Sequence, residues 1–493
     1  MQRFWMVLAI AVVMAASARA DDVNVSPTFV DFGRVKLGTT ATVRVTFTNL
    51  TASQLQVAGG GGLQAPFSST VGTCGGGIVP ANSTCYFNYS FRPTNNDGTP
   101  FEDATSVQIT GGSSPEFLSL GFRGRGMGNL VDVAFVDIDF GDWFVGEQAS
   151  VRYRVVNTHG AGVLLSGGGF NTTNGFGAFG CGLGGSPLPS GDVCDFVYTF
   201  QPPATGFRQN STSIGVSTAD SPNVYQTFPI HVQGMGIATV PMVGVSPVEV
   251  DFGDVMIGRR PEVPVDFTSF DPSPLGIAGG GFNDNDDAFF AVGSGADVCV
   301  SNTLPSGETC AIDYSFRPGE QRNFAASTSL GFSKTGEYQS TPLAFAGTGI
   351  GTLAQVSPVQ IVFGDVATTT SMNVPVVITN TSEAAVTNFV GGGVASPFSL
   401  TSNTCGASLA VGASCQYNYR FTSSSAAPAS TQTLLSFTNS WGIQPTYTIS
   451  LYANGAPEPG ALALGLASFG ALALARRRPG RRQSESGVAK RRR

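Results

Sequence analysis

Histidine occurs twice in the 493 residues, at His159 and His231, and cysteine eight times. These residue types most often supply a base, a nucleophile or a transition-metal ligand near neutral pH. Both histidines fall in the second of four repeats described below, so no chemistry shared by the repeats can use them. The cysteines come two per repeat, as Cys74 and Cys85, Cys181 and Cys194, Cys299 and Cys310, Cys405 and Cys415. Eight cysteines allow 105 pairings, but four copies of a two-cysteine unit select one, which leaves no thiol as nucleophile. Zinc would need Cys or His clusters at short spacing, and none is present. The glycine runs at 59–62, 167–169, 279–281 and 391–393 lack the following Lys and Ser or Thr of a phosphate loop, and suit turns or bulges with positive φ. Asp284, Asp286 and Asp287 could hold calcium but lack the EF-hand glycine and distal Glu, so a solvated loop is the default. No Gly-x-Ser-x-Gly elbow sits in a strand-turn-helix setting. The expectation is no catalytic residue, no metal and no cofactor; an enzyme with dispersed carboxylates is the class this search would miss.

The elements that would position such groups are strands. Hydrophobic residues make up 42% of the chain, enough for cores, while charged residues make up 12%, about half the ~25% of ordinary soluble domains. Glycine is high, at 64 residues. This profile suits extracellular β structure and excludes a coiled coil, collagen or a polytopic membrane protein. Setting aside eleven basic residues and one acid at the two ends leaves 15 basic and 32 acidic groups over 21–475, a net of -17. Such a body repels phosphate backbones, and no nucleic-acid partner is expected.

A motif of Asp31, Phe32 and Gly33 returns as Asp139, Phe140, Gly141, as Asp251, Phe252, Gly253, and as Phe363, Gly364, Asp365, at steps of 108, 112 and 111 residues. A period this long marks tandem domains and not a solenoid. Each copy continues with an alternating strand, a glycine run, two cysteines, an aromatic strand and a glycine-punctuated closing strand. In Cys85, Phe87, Tyr89, Phe91 the apolar positions are two apart, and the same register holds in the other copies. Period two puts the sulfur and the aromatics on one face, expected to be the core; an aromatic platform for carbohydrate is the functional alternative. About 100 residues with short alternating strands predict an all-β chain, a tandem array of four immunoglobulin-like β-sandwich domains, each with one intradomain disulfide worth about 2 to 3 kcal/mol. Another all-β topology would give the same pattern. The expected boundaries are 23–128, 129–238, 243–350 and 354–455, and the short links between them predict an elongated, semi-rigid array. The Asp-Phe-Gly motif, the glycine run and the cysteine strand resemble the choice-of-anchor D repeat, an immunoglobulin-like module related to the ASH and Hydin domains. The resemblance spans nearly all of 23–455 and implies fold and surface export more than activity.

Both ends read as addresses. Arg3, an apolar run from Phe4 to Ala16, and the small residues Ala18 and Ala20 make a secretory signal peptide over 1–20, with cleavage expected after Ala20. At the other end, over 456–493, Pro457, Glu458 and Pro459 precede 16 apolar residues, 460–475, and then Arg476, Arg477 and Arg478. That segment would make a transmembrane helix of about 24 Å, whose arginines stay cytoplasmic. In this order the residues resemble the PEP-CTERM sorting signal of Gram-negative bacteria. The resemblance implies recognition of Pro-Glu-Pro by an exosortase, a transient inner-membrane anchor, and a role at the outer surface or in the exopolysaccharide matrix. A departure is the extra tail from Pro479 to Arg493, since such signals usually end soon after the arginines. The expected partners are signal peptidase and the exosortase, with extracellular polysaccharide or other surface proteins beyond them. The expected function is that of an exported, non-enzymatic structural or interaction protein; an adhesin or carbohydrate-binding protein is the alternative, and a surface hydrolase the third reading.

Overall fold

The computed structural model describes residues 22–456 apart from 113–114, 171–173, 182–184, 221–223, 281, 283–287, 293–298 and 300–302. Among the described residues there is no α-helix, and no helix long and apolar enough to cross a membrane. The alternating segments are strands with alternating burial: Ala41–Asn49 and Ala149–Asn157 both bury every second residue.

Each repeat is a two-sheet sandwich. One sheet has four strands; in repeat 1 its order is Val23–Ser26, Ala41–Asn49, Thr84–Phe91, Phe67–Val71. The other sheet begins with the strand that carries the Asp-Phe-Gly motif, here called the seam strand: Phe29–Lys36, Asp137–Phe144, Glu249–Met256 and Gln360–Ala367 in repeats 1 to 4. It pairs in parallel with the closing strand of its own repeat, Glu116–Met127, Tyr225–Ile237, Glu337–Ile350 or Thr446–Ala456. The cysteine strands Thr84–Phe91, Val193–Phe200, Thr309–Phe316 and Ser414–Thr422 turn their aromatics inward, with Phe91, Phe200 and Phe316 fully buried. That excludes the repeated stripe of alternate residues as an aromatic platform. Disulfides join Cys74 to Cys85, Cys181 to Cys194, Cys299 to Cys310 and Cys405 to Cys415, all within a repeat.

The glycines of the closing strands make room for what lies beneath. A Cβ on Gly124, Gly234 or Gly347 would lie 2.5 to 2.6 Å from the ring of Phe91, Phe200 or Phe316. Repeat 4 has Ala453 at that place. The glycine runs open with the positive φ that the sequence suggested, +87° at Gly59 and +82° at Gly167.

Tyr89, Tyr198, Tyr314 and Tyr419 hold one equivalent core position, and none of their hydroxyls has a hydrogen-bond partner among the described residues. Burial raises each phenol pKa above its ordinary value. An unpaired buried hydroxyl costs about 1 to 3 kcal/mol, whereas losing the ring costs about 3 to 5. Tyr314→Phe should therefore melt at or above the wild-type temperature while Tyr314→Ala falls far below it; a destabilised Phe variant would show that the hydroxyl is bonded.

The array is not elongated, and that expectation is corrected. The seam strands of repeats 1 and 4 pair antiparallel with each other, Phe29 with Val362, Val30 with Ile361 and Asp31 with Gln360, forming one ten-stranded sheet. Repeats 2 and 3 do the same in a nine-stranded sheet, with Glu249 opposite Asp139, Val250 opposite Ile138 and Asp251 opposite Asp137. Aligned on the repeats, the two registers are identical, so the tandem 1–2 faces the tandem 3–4 about an internal pseudo-twofold. The links explain the closure. Residues 128–130 and 351–353 join consecutive strands tightly, while residues 238–242 give the longer turn that folds one tandem back on the other. Both described ends meet at the 1/4 seam: Ala456 O accepts from Thr368 N at 2.8 Å, and the Asn24 side chain bonds Ala367 N and Thr370 Oγ1, each at 3.3 Å.

Candidate functional site

The Asp-Phe-Gly motif builds the seams. Its aspartate caps its own glycine: Asp31 Oδ1 accepts from Gly33 N at 2.9 Å, and Asp139 and Asp251 do the same for Gly141 and Gly253 at 2.8 Å. The phenylalanine drops into the core, and the strand bulges between Asp31 and Arg34. The glycine, at φ +72° in Gly33, then receives the partner repeat. A Cβ there would lie 2.9 Å from Val359 Cγ1 of repeat 4, and one on Gly141 would lie 2.9 Å from Val248 Cγ1 of repeat 3. Repeat 4 has Val362 in place of the aspartate but keeps the positive φ at Gly364.

All four repeats meet at one polar junction. Lys36 of repeat 1 is buried; its backbone N–H donates to Gln355 Oε1 of repeat 4 at 3.1 Å, and its Nζ to Thr158 O of repeat 2. Arg259 of repeat 3 reaches Asp132 of repeat 2 at 3.8 Å and Glu383 of repeat 4 at 3.5 Å. Desolvation raises the Glu383 pKa against the pull of Arg259, and it lowers the Lys36 pKa to about 8, with Arg259 adding to the effect and Asp132 opposing it. Met256 packs on the links, where a Cβ on Gly128 or Gly351 would meet its side chain at 2.7 or 2.9 Å.

The two histidines have separate fates. His159 is buried in the 1/2 contact, where a Cβ on Gly38 would lie 2.8 Å from its Cε1, and burial is the first cause of its lowered pKa. His231 lies on the outer sheet face, with Nδ1 2.8 Å from Asp137 Oδ1, in a cleft of about 640 Å³ that also holds Asp139, Glu249 and Ser211. Ser211 sits opposite His231 in register. This places an acid, an imidazole and a hydroxyl side by side, which sequence reading missed because the residues lie on three strands. No hydrogen bond joins the hydroxyl to the ring, and the His231 and Asp137 side chains are 65% and 50% exposed, so a nucleophile is not assembled. Among the described residues no group of His, Cys, Asp or Glu is placed to hold a metal ion. Asp284, Asp286 and Asp287 lie outside the described residues, as do Ala18, Ala20, Pro457, Glu458, Pro459, Arg476, Arg477, Arg478 and the apolar segment 460–475.

What the described residues define is a tandem of immunoglobulin-like β-sandwiches, one disulfide in each, closed edge to edge. No family model matches the chain, and no curated protein matches it. Among solved structures, the chain is similar to the zebrafish RET cadherin-like domains 1 to 4, at 8% identity over 87% of this chain and 99% of that one, TM-score 0.23. It is also similar to the ASH/PapD-like domain of human CEP192, at 17% identity over 22% of this chain and 87% of that one, TM-score 0.20. A protein of unknown function from Porphyromonas gingivalis W83 aligns at 15% identity over 44% of this chain and all of its own, TM-score 0.19. Likeness at such scores defines no shared activity.

Proposed function

We propose that this is an exported, non-enzymatic structural or interaction protein of a Gram-negative cell surface or its exopolysaccharide matrix. The observation that carries the reading is one disulfide in every sandwich of a charge-poor chain, since such bonds persist in oxidising compartments. The resemblance of residues 457–478 to a PEP-CTERM signal supports the finer statement: a helix over 460–475 holds the chain in the inner membrane until an exosortase acts at Pro457-Glu458-Pro459. The boundaries 23–128, 129–238, 243–350 and 354–455 belong to the same proposal. In cells possessing an exosortase, the mature wild-type chain should lack residues 460–493 by mass. Glu458→Ala should retain them and fractionate with the inner membrane. A wild-type chain that keeps the C-terminal segment defeats the sorting reading. An adhesin is the second reading, and the exposed polar sheet faces favour it.

A further inference from the structure

We propose that the cleft between repeats 1 and 4 binds an acidic polysaccharide, with Arg44 as the contact for its anionic groups. This rests on the reading of the chain as a surface interaction protein and names a ligand class for it.

The observation is a difference between the two seams, with repeat 1 compared with repeat 2 and repeat 4 with repeat 3 along their aligned strands. In repeats 2 and 3 the outward arginines of the four-stranded sheets have acidic partners. Arg152 and Arg154 lie 4.0 and 3.2 Å from Asp195. Across the seam stands Asp266, whose pKa burial lifts to about 6, with Arg152 opposing the rise and Asp313 adding to it.

Between repeats 1 and 4 lies a cleft of about 630 Å³. The strand register makes Arg44 the counterpart of Arg152. The three acids named have no counterpart here: Tyr86 holds the place of Asp195, Val377 that of Asp266, and Asn418 that of Asp313. The arginine stays. Its guanidinium lies 3.9 Å above the centre of the Tyr86 ring, and no carboxylate among the described residues comes within ion-pair distance. Arg44 is the one charged residue of the lining.

The rest of the lining selects the ligand class. Thr42, Thr46 and Thr48 project from one wall, and Asn373, Gln416 and Asn418 from the other. Outward side chains on a strand recur every ~6.8 Å, which gives rows of hydroxyl and amide groups suited to a polyhydroxylated chain. A guanidinium forms paired hydrogen bonds with carboxylate or sulfate. A peptide would find no free strand edge, since Ala41–Asn49 and Ser371–Asn380 each have neighbours on both sides, and the lining is polar.

The test is calorimetry of the full chain with oligogalacturonate, with dextran sulfate and with neutral dextran. At least one acidic glycan should bind, and neutral dextran should bind at least tenfold more weakly. Which acidic glycan binds identifies carboxylate or sulfate as the anionic group. Arg44→Gln, at an exposed site that does not threaten folding, should weaken binding at least tenfold. Val377→Asp, which restores the internal partner found in repeat 3, should do the same, while Arg322→Gln, in repeat 3 where the side chain pairs with Glu320 at 2.6 Å and outside the cleft, should bind as wild type. Binding that survives both cleft variants, no binding of either acidic glycan, equal binding of dextran, or tighter binding of polyglutamate would overturn the proposal. Normal export with no glycan binding would sink the cleft alone, and faulty sorting with intact binding would sink the sorting reading alone.

Discussion

The double variant Val248→Asp/Val359→Asp is expected to turn a compact particle into an extended one. In the wild type the radius of gyration should lie near the roughly 22 Å of a compact chain of this described length. Each valine inserts its Cγ1 where the partner's bulge glycine leaves space, Val359 at Gly33 and Val248 at Gly141. The backbone at these residues also ties the seam: Val359 N donates to Asp31 O and Val248 N to Asp139 O, both at 2.8 Å. A carboxylate in place of either methyl loses part of its hydration and faces an aspartate already there, a penalty of several kcal/mol. Either single variant should stay compact, because the intact seam holds the two tandems at high effective concentration. With both seams charged, small-angle scattering should report a clearly larger radius, and peptide mapping should still find the four bonds within repeats. A folded double variant that stays compact would show that the junction alone closes the molecule.

Lys36→Met should raise stability at neutral pH, and the gain should shrink as pH rises. The seam strand of repeat 3 carries Met256 at this place, so the substitution restores the apolar partner that the pseudo-twofold asks for. Lys36 is 6% exposed and has no carboxylate within ion-pair distance among the described residues, and its pKa is lowered to about 8, first by desolvation. Between about pH 8 and the unfolded value of about 10.5, unfolding takes up a proton, so wild-type stability rises with pH across that window. Below it the charged form carries its full cost, about 3 kcal/mol by the size of the shift. The Thr158 carbonyl loses its donor in the variant, which leaves a net gain of about 2 kcal/mol at pH 7. Melting both proteins from pH 7 to 10 gives the answer: the curves should converge, and parallel curves would contradict the buried charge.

Local features were legible in the sequence because they are set by neighbours in the chain. Alternation along Cys85, Phe87, Tyr89 and Phe91 fixed the buried face, and two cysteines per repeat fixed the pairing. Gly33 shows where such reading stops. Its motif marks a bulge, but the Val359 side chain that fills the space above it comes from more than 300 residues away. Ring closure was equally hidden, since short links suggest extension and nothing in Val30 or Ile361 distinguishes a free edge from a paired one. Lys36 carries no sign of its burial in the sequence, because a four-way junction leaves no periodic mark. Arg44 alternates with the inward residues Val43 and Val45, and its lack of an acidic partner emerges only beside Arg152, Asp195 and Asp266. The sorting residues, read from order and composition, lie outside the described part of the chain.

The meeting of Asn24 and Ala456 on the segment 367–370 makes the order of the repeats immaterial to the architecture. The five residues 238–242 carry the chain from repeat 2 to repeat 3 across a gap that the pseudo-twofold reproduces between repeat 4 and repeat 1. A circular permutant that begins at Val243, runs through Ala456, crosses by a five-residue bridge to Val23 and finishes at Ile237 should build the same ring. Its new termini would lie on the opposite seam, so a tether attached there would present the 1/4 cleft away from the point of attachment and not beside it.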